Sequence, residues 1–172
     1  MKAEYIEQEL LDHILASMMP ANARACRVSL ATGLRIGDVL NLKPDQIAKQ
    51  RFTIREQKTG KSRRVYLPKA LWLELQRESG SEWVFAGRNP SKPRSRQAVW
   101  ADVNRAKKFF RIGANIAPHS MRKIAAVNMF KRTGDLSKVR DFLNHDSDAV
   151  TLIYALADAL AAKKQKKKKK PP

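Results

Sequence analysis

The sequence contains a single cysteine, Cys26, so the chain cannot form an internal disulfide. That scarcity fits a reducing compartment. Because Cys26 lies in an apolar helical pattern, we interpret it as a small buried hydrophobe. No apolar run is long enough to span a bilayer, and acids stand near the N-terminus where a secretion signal has its apolar core. We therefore expect a cytoplasmic protein without a membrane partner.

Acidic residues are also few. Asp and Glu number 16 against 35 Lys and Arg, which leaves a formal charge of +19. Part of the excess lies in the C-terminal tail (Lys163, Lys164, Lys166–Lys170), but the rest of the chain is still basic. A balance of this kind favours a polyanionic partner. With 43% hydrophobic residues, the 172-residue chain can bury one real core.

Hydrophobic periodicity predicts mostly helices and one β-hairpin. The hairpin is indicated by alternation at Phe52–Ile54 and Val65–Leu67, around the turn-rich segment Gln57–Ser62. Gly33 is the expected stop of the second helix, and Ser120 is a plausible N-cap. In chain order we predict helices over 4–18, 21–32 and 34–42, the hairpin, a helix over 68–79, a short strand Trp83–Phe85, a loop over 87–96, helices over 97–111, 120–132, 136–143 and 147–162, and a disordered lysine-rich tail over 163–172.

A basic pair stands at the start of the helix that follows Pro118. His119 and Arg122 are three residues apart, so a helix places both side chains on one face. Free N–H groups at a helix N-terminus favour an anion, and Arg with His could hold a phosphate there. The alternative is an ordinary exposed basic helix start, and the motif alone does not exclude it.

Three more positions have both a functional and an ordinary interpretation. Arg35 follows the turn at Gly33 and could bind a second phosphate oxygen, with Asp38 orienting an arginine; the alternative is a surface salt bridge. Lys58, at the tip of the hairpin, could protonate a leaving oxygen, or it could be a solvated turn lysine.

His145 and Tyr154 are nine residues apart near the end of the chain. Tyr154 falls in an apolar stripe, so it could be a core tyrosine. Alternatively it is a nucleophile whose developing charge is stabilised by nearby Arg or His side chains.

Taken together, these motifs and their order resemble the tyrosine recombinases, the family of phage integrases. The matching segments are Ala31–Leu40, Gln57–Lys61, Pro118–Lys123 and Leu143–His145 with Tyr154. The resemblance covers about residues 21–162. It implies a tyrosine-recombinase catalytic fold, α+β but mainly α, in which a helical bundle carries a small antiparallel hairpin on one edge.

The resemblance also implies the chemistry. Tyr154 would attack the scissile phosphate to give a 3′-phosphotyrosine, while Arg35 and Arg122 hold the phosphate oxygens. Lys58 would be the general acid for the leaving 5′ oxygen; His119 would assist proton transfer at the tyrosine, and His145 would hydrogen-bond the phosphate. Neither metal nor other cofactor is needed, and the expected partners are double-stranded DNA and further copies of the chain in a tetrameric synapse. Further DNA contacts are expected at Lys61, Arg63, Arg64, Arg94, Arg96 and Lys123.

The sequence departs from the family pattern in two places. Asn144 replaces the usual Gly before the second His, although Asn also tolerates a left-handed backbone. Family members carry an N-terminal core-binding domain, whereas residues 1–19 here predict one helix. We expect residues 1–162 to be a catalytic domain, either of a minimal recombinase or of a longer protein, in a bacterial or phage context.

Three other functions remain open at the level of sequence. A type IB topoisomerase would use the same tyrosine chemistry without a partner strand. A silent DNA-binding module would keep the fold but would not need Tyr154. An RNA-binding protein would need exposed aromatics on a sheet, and the hairpin offers mainly Phe52 and Tyr66.

Overall fold

The computed structural model describes residues 6 and 8–144. Within them the chain is mainly helical with one two-stranded antiparallel sheet, which confirms the predicted fold class. The elements are α1 (Gln8–Ser17), α2 (Pro20–Thr32), α3 (Ile36–Leu40), β1 (Arg51–Arg55), β2 (Ser62–Tyr66), α4 (Lys69–Glu78), α5 (Arg96–Phe109), α6 (Pro118–Thr133) and α7 (Leu136–Phe142). None of the helices in this part of the chain is both long and apolar enough to cross a membrane.

The chain divides into two compact units, residues 1–125 and 126–172. The first unit has a continuous apolar core to which α1 to α5, the hairpin and the start of α6 all contribute. Cys26 is fully buried in it, as predicted, and burial raises the pKa of its thiol to about 12. The core residues of α2 and the hairpin hold in place the segments that carry Arg35 and Lys58.

The hairpin follows the predicted alternation. Arg51 pairs with Tyr66 and Arg55 with Ser62, and Ile54 and Val65 point into the core. Gly60 lies in the turn with φ of 66°. That backbone conformation is one that glycine adopts without steric cost.

Local capping explains several helix ends. Gly33 takes a left-handed conformation after α2 and donates its N–H to the Ser29 carbonyl, which confirms the predicted stop. The Ser95 hydroxyl accepts the N–H of Ala98 at the start of α5. Such a cap satisfies a donor that has no partner inside the helix.

Two local predictions were wrong. Trp83–Phe85 is not a strand: Val84 donates its N–H to the Leu42 carbonyl, and the nearby bridge joins Ala86 to Pro93 instead. Ser120 is not the N-cap of its helix, since α6 begins at Pro118. Proline suits that position because the first helical N–H groups have no intrahelical acceptor.

The α5 helix buries its valines and exposes large aromatic side chains. Val99 and Val103 are fully buried, whereas Trp100 and Phe109 are exposed. Trp100 therefore does not pack the helix onto the core.

The described part of the second unit contains the end of α6 and all of α7. The Asp135 carboxylate caps α7 by accepting the N–H groups of Ser137 and Lys138. Asn144 has φ of 55°, so the predicted left-handed conformation is confirmed. The predicted helix over 147–162 and the tail over 163–172 lie outside the described residues.

Candidate active site

The turn between α2 and α3 places the first predicted arginine. Gly33 reverses the chain, and Arg35 then occupies the N-cap position of α3 in an extended conformation. The Ser29 hydroxyl donates to the Leu34 carbonyl at 2.7 Å, which holds the turn against α2. The Arg35 guanidinium lies mostly buried, with Nη1 2.9 Å from Oε2 of Glu56.

The second arginine reaches the same turn from α6. Arg122 is 2% exposed, and its Nη1 donates to the Gly33 carbonyl at 2.8 Å. His119 stands on the same face, one turn earlier, and is exposed. The three-residue spacing therefore places both side chains on one face of α6, as the sequence predicted.

The hairpin brings the lysine to the same place. The Oδ1 atom of Asp38 accepts the N–H of Gln57 at 2.9 Å, so α3 is tied to the residue that precedes Lys58. Lys58 itself is exposed. Asp38 therefore holds the hairpin turn, and its carboxylate also interacts electrostatically with Arg35 and Arg122. That it orients one of these arginines stays a prediction.

These side chains surround one cavity of about 430 Å³. It is lined by Arg35, Ile36, Gly37, Asp38, Gln57, Lys58, Arg96, Pro118, His119 and Arg122. Four of the six predicted catalytic residues are thus brought together by segments far apart in the chain. His145 and Tyr154 lie outside the described residues, and their roles stay predictions.

The charge of the cavity suits an anion. Four cationic side chains line it against a single carboxylate, that of Asp38. Burial raises the pKa of Asp38 above its usual range, although the Gln57 N–H opposes the shift. Arginines offer two N–H donors to a phosphate, which adds geometric precision to the charge attraction. Among residues 6 and 8–144, no group of three or more His, Cys, Asp or Glu side chains is placed to hold a metal.

Sequence reasoning missed Glu56, which is fully buried beside the cavity. Its carboxylate lies 2.9 Å from Arg35 Nη1 and 3.4 Å from Arg63 Nη1, and it accepts the Thr59 hydroxyl at 3.2 Å. A signal was present: Phe52, Ile54 and Glu56 continue one face of β1 with a period of two. A charged residue on the inward face of a strand indicates a buried pair.

The residues predicted to contact DNA divide into two groups. Lys61 and Arg64 are exposed on the hairpin, and Arg96 lines the cavity. Arg63 instead points inward, pairing with Glu56 and donating to the Thr32 carbonyl.

Arg94 is half-buried, and its Nη1 donates to the Asn22 side chain at 3.3 Å. Lys123 is half-buried on α6. The pairings of Arg63 and Arg94 connect segments of the protein, so the structure gives these two arginines a different setting from the exposed DNA contacts expected of them.

Known proteins are similar to this chain in sequence and in fold. The family model described as the phage integrase family matches residues 4–160. The tyrosine recombinase XerA of Pyrococcus horikoshii is 30% identical over 131 residues, covering 71% of this chain and 45% of that protein. XerA of Pyrococcus furiosus is 30% identical over 143 residues, covering 77% and 49%.

A solved structure, a dimer of lambda integrase residues 75–356 bound to a COC′ core site, matches with a TM-score of 0.75. It is 19% identical and covers 88% of this chain and 59% of that one. The chain thus spans about half the length of the curated relatives that it matches. The family model covers most of the sequence and the described fold agrees with it, so this chain belongs to the phage integrase family, the tyrosine recombinases.

Proposed function

We propose that this chain is the catalytic part of a site-specific recombinase that cleaves and rejoins double-stranded DNA through a 3′-phosphotyrosine. The observation that carries the proposal is the convergence of Arg35, Lys58, His119 and Arg122 on one cationic cavity. A scissile phosphodiester is the ligand that fits such a set of donors. Family membership supports the same reaction.

The proposed cleavage step forms one bond and breaks one bond. The Tyr154 hydroxyl oxygen attacks phosphorus, its proton passes towards His119, and the bond from phosphorus to the 5′ oxygen breaks. Lys58 donates a proton to that leaving oxygen, giving a free 5′-hydroxyl. Since the phosphotyrosine ester retains the energy of the broken bond, attack by another 5′-hydroxyl rejoins DNA by the reverse sequence.

The cationic cavity accounts for rate acceleration in physical terms. A phosphodiester carries one negative charge, and a second develops on its oxygens as the tyrosine attacks. Fixed guanidinium groups stabilise the more highly charged transition state more than the ground state, which is the condition for catalysis. Arg122 is especially well suited because the Gly33 carbonyl already fixes its orientation.

The DNA partner and the assembly are parts of the same proposal. Arg96 lines the cavity, and Lys61 and Arg64 are exposed on the hairpin; such cations suit the phosphate backbone of a duplex. The lambda integrase structure is a dimer on its DNA. We extend this to a multimer of the present chain on DNA, up to the tetrameric synapse of strand exchange, in the cytoplasm of a bacterial cell.

The test is covalent adduct formation on a nicked suicide substrate, read on a denaturing gel. We expect an adduct with the wild type and none with Tyr154→Phe. Tyr66→Phe is the matched control, because Tyr66 is exposed on the hairpin and does not line the cavity. An adduct that persists in Tyr154→Phe would contradict the assignment of the nucleophile, and relaxation of supercoiled plasmid without strand exchange would favour the topoisomerase activity.

A further inference from the structure

Within the described part of the chain, the Glu56 carboxylate contacts the catalytic Arg35 but does not line the cavity. Its side chain is fully buried at the end of β1, whereas the cavity is lined by its neighbours Gln57 and Lys58. It therefore cannot meet a substrate directly. Any effect on the reaction must pass through the groups that it holds.

The contacts of Glu56 join three segments. Oε2 accepts from Arg35 Nη1 at 2.9 Å and from the Thr59 hydroxyl at 3.2 Å, and Oε1 lies 3.4 Å from Arg63 Nη1. The Glu56 backbone is also fixed, since its N–H donates to the Lys61 carbonyl and its carbonyl accepts the Gly60 N–H. The carboxylate is thus a rigid anchor within the turn of the hairpin.

Stability alone is a poor explanation for this arrangement. Removing a carboxylate and two guanidinium groups from water carries a desolvation penalty that can exceed the attraction between them. Such networks can be retained because they hold one conformation. A long, flexible arginine that must meet a phosphate oxygen needs this restraint, because misplacement by about 1 Å can cost on the order of 100-fold in rate.

We propose that Glu56 is a positioning residue, which holds the Arg35 guanidinium in the orientation that receives the scissile phosphate. The expected effect on cleavage rests on the proposed function. The restraint of the Arg35 side chain by the Glu56 carboxylate does not depend on that function. Asp38 provides a second and separate tie between the hairpin and α3, through the Gln57 N–H.

The test compares Glu56→Gln with Glu74→Gln. Both changes remove one negative charge from a glutamate that pairs with two arginines, since Glu74 Oε1 lies 2.6 Å from Arg27 Nη2 and 3.9 Å from Arg24 Nη1. Neither Arg24 nor Arg27 lines the cavity. We expect adduct formation to slow by about 10- to 100-fold in Glu56→Gln only, because a charge-assisted hydrogen bond to Arg35 is lost. DNA affinity should change less than threefold in either variant, which is about the error of such assays.

A sulfur-for-oxygen substrate separates positioning of Arg35 from an effect on Lys58. A 5′-bridging phosphorothiolate has a leaving group that needs no proton, so it should restore cleavage by Lys58→Ala. It should not restore cleavage by Glu56→Gln if Glu56 acts through Arg35. Restoration of Glu56→Gln, or cleavage by that variant at the wild-type rate, would overturn the proposal.

A measurement without DNA distinguishes this inference from the proposed function. Nitrogen-15 exchange NMR reports rotation of the Arg35 guanidinium, whose signal is assigned with Arg35→Lys. We expect rotation at least roughly tenfold faster in Glu56→Gln than in the wild type or Glu74→Gln, as a charge-assisted hydrogen bond is lost. If the wild type forms no adduct, the proposed function fails. The NMR measurement still tests the role of Glu56: unchanged rotation of the Arg35 guanidinium in Glu56→Gln would refute it, and faster rotation would support it.

Discussion

Gly33 connects the stability of the fold to the geometry of the candidate active site. It adopts φ of 67°, its N–H closes α2, and its carbonyl holds Arg122. Gly33→Ala places a Cβ on a left-handed residue, which costs roughly 1–2 kcal/mol. For a chain of this length, each kcal/mol lowers the melting temperature by about 2–4 °C, so a decrease of about 2–8 °C is expected.

Gly134→Ala is a matched control for this strain. Gly134 has φ of 65°, and among the described residues other than its chain neighbours no heavy atom lies within 4 Å of the position that a Cβ would take. It joins α6 to α7 and does not line the cavity. The two variants should therefore carry a similar conformational cost, while only Gly33→Ala moves the carbonyl that orients Arg122.

The assays are thermal unfolding by circular dichroism and the rate of adduct formation, measured at a temperature where each variant is folded. We expect both variants to lose stability. Cleavage should fall by roughly tenfold or more in Gly33→Ala alone, since small displacements of a catalytic group are costly. Equal cleavage rates in the two variants would refute the reasoning, and so would wild-type stability of Gly33→Ala.

Three further predictions concern buried titratable groups. Burial alone would raise the pKa of Asp102, but hydrogen bonds from Asn22, Arg105 and Met19 outweigh it and lower the pKa. The resulting stability is present above the pKa of Asp102 in the unfolded state and is lost as pH falls through its pKa in the folded state. Denaturation should therefore give different free energies of unfolding for the wild type and Asp102→Asn at pH 7, and the two values should converge in acid. The opposite holds for Asp38, because its raised pKa means that ionisation of the carboxyl opposes folding. Wild-type stability, measured by urea titration, should decline as pH rises from the pKa of Asp38 in the unfolded state to its pKa in the folded state. Asp38→Asn should lack that decline. The Cys26 thiol, with a pKa raised to about 12 by burial, should react with a thiol reagent at pH 8 only after unfolding; rapid reaction of the native protein would contradict its placement in the core.

The sequence was sufficient for features that depend on local chemistry. Gly33 ends α2 because a left-handed residue without a Cβ is needed there, and the alternation around Ile54 and Val65 specifies the hairpin. The helical spacing of His119 and Arg122 likewise predicts one shared face. Local rules failed at Trp83–Phe85, where Val84 instead makes a long-range hydrogen bond to Leu42. They also failed at Ser120, because its helix begins earlier, at Pro118.

Only the tertiary structure decided which charged groups meet. Alternation along β2 places Arg63 on the inward face with Val65 and leaves Arg64 exposed, but only the folded chain brings Arg63 to Glu56. Arg35 and Glu56 are 21 residues apart, and Arg122 is 89 residues from the Gly33 carbonyl that it contacts. A repeating pattern identifies the face of one helix or strand, whereas the partner across a cavity depends on how distant segments pack. The residue types for a phosphate site are therefore visible in the sequence, and their common cavity exists only in the folded chain.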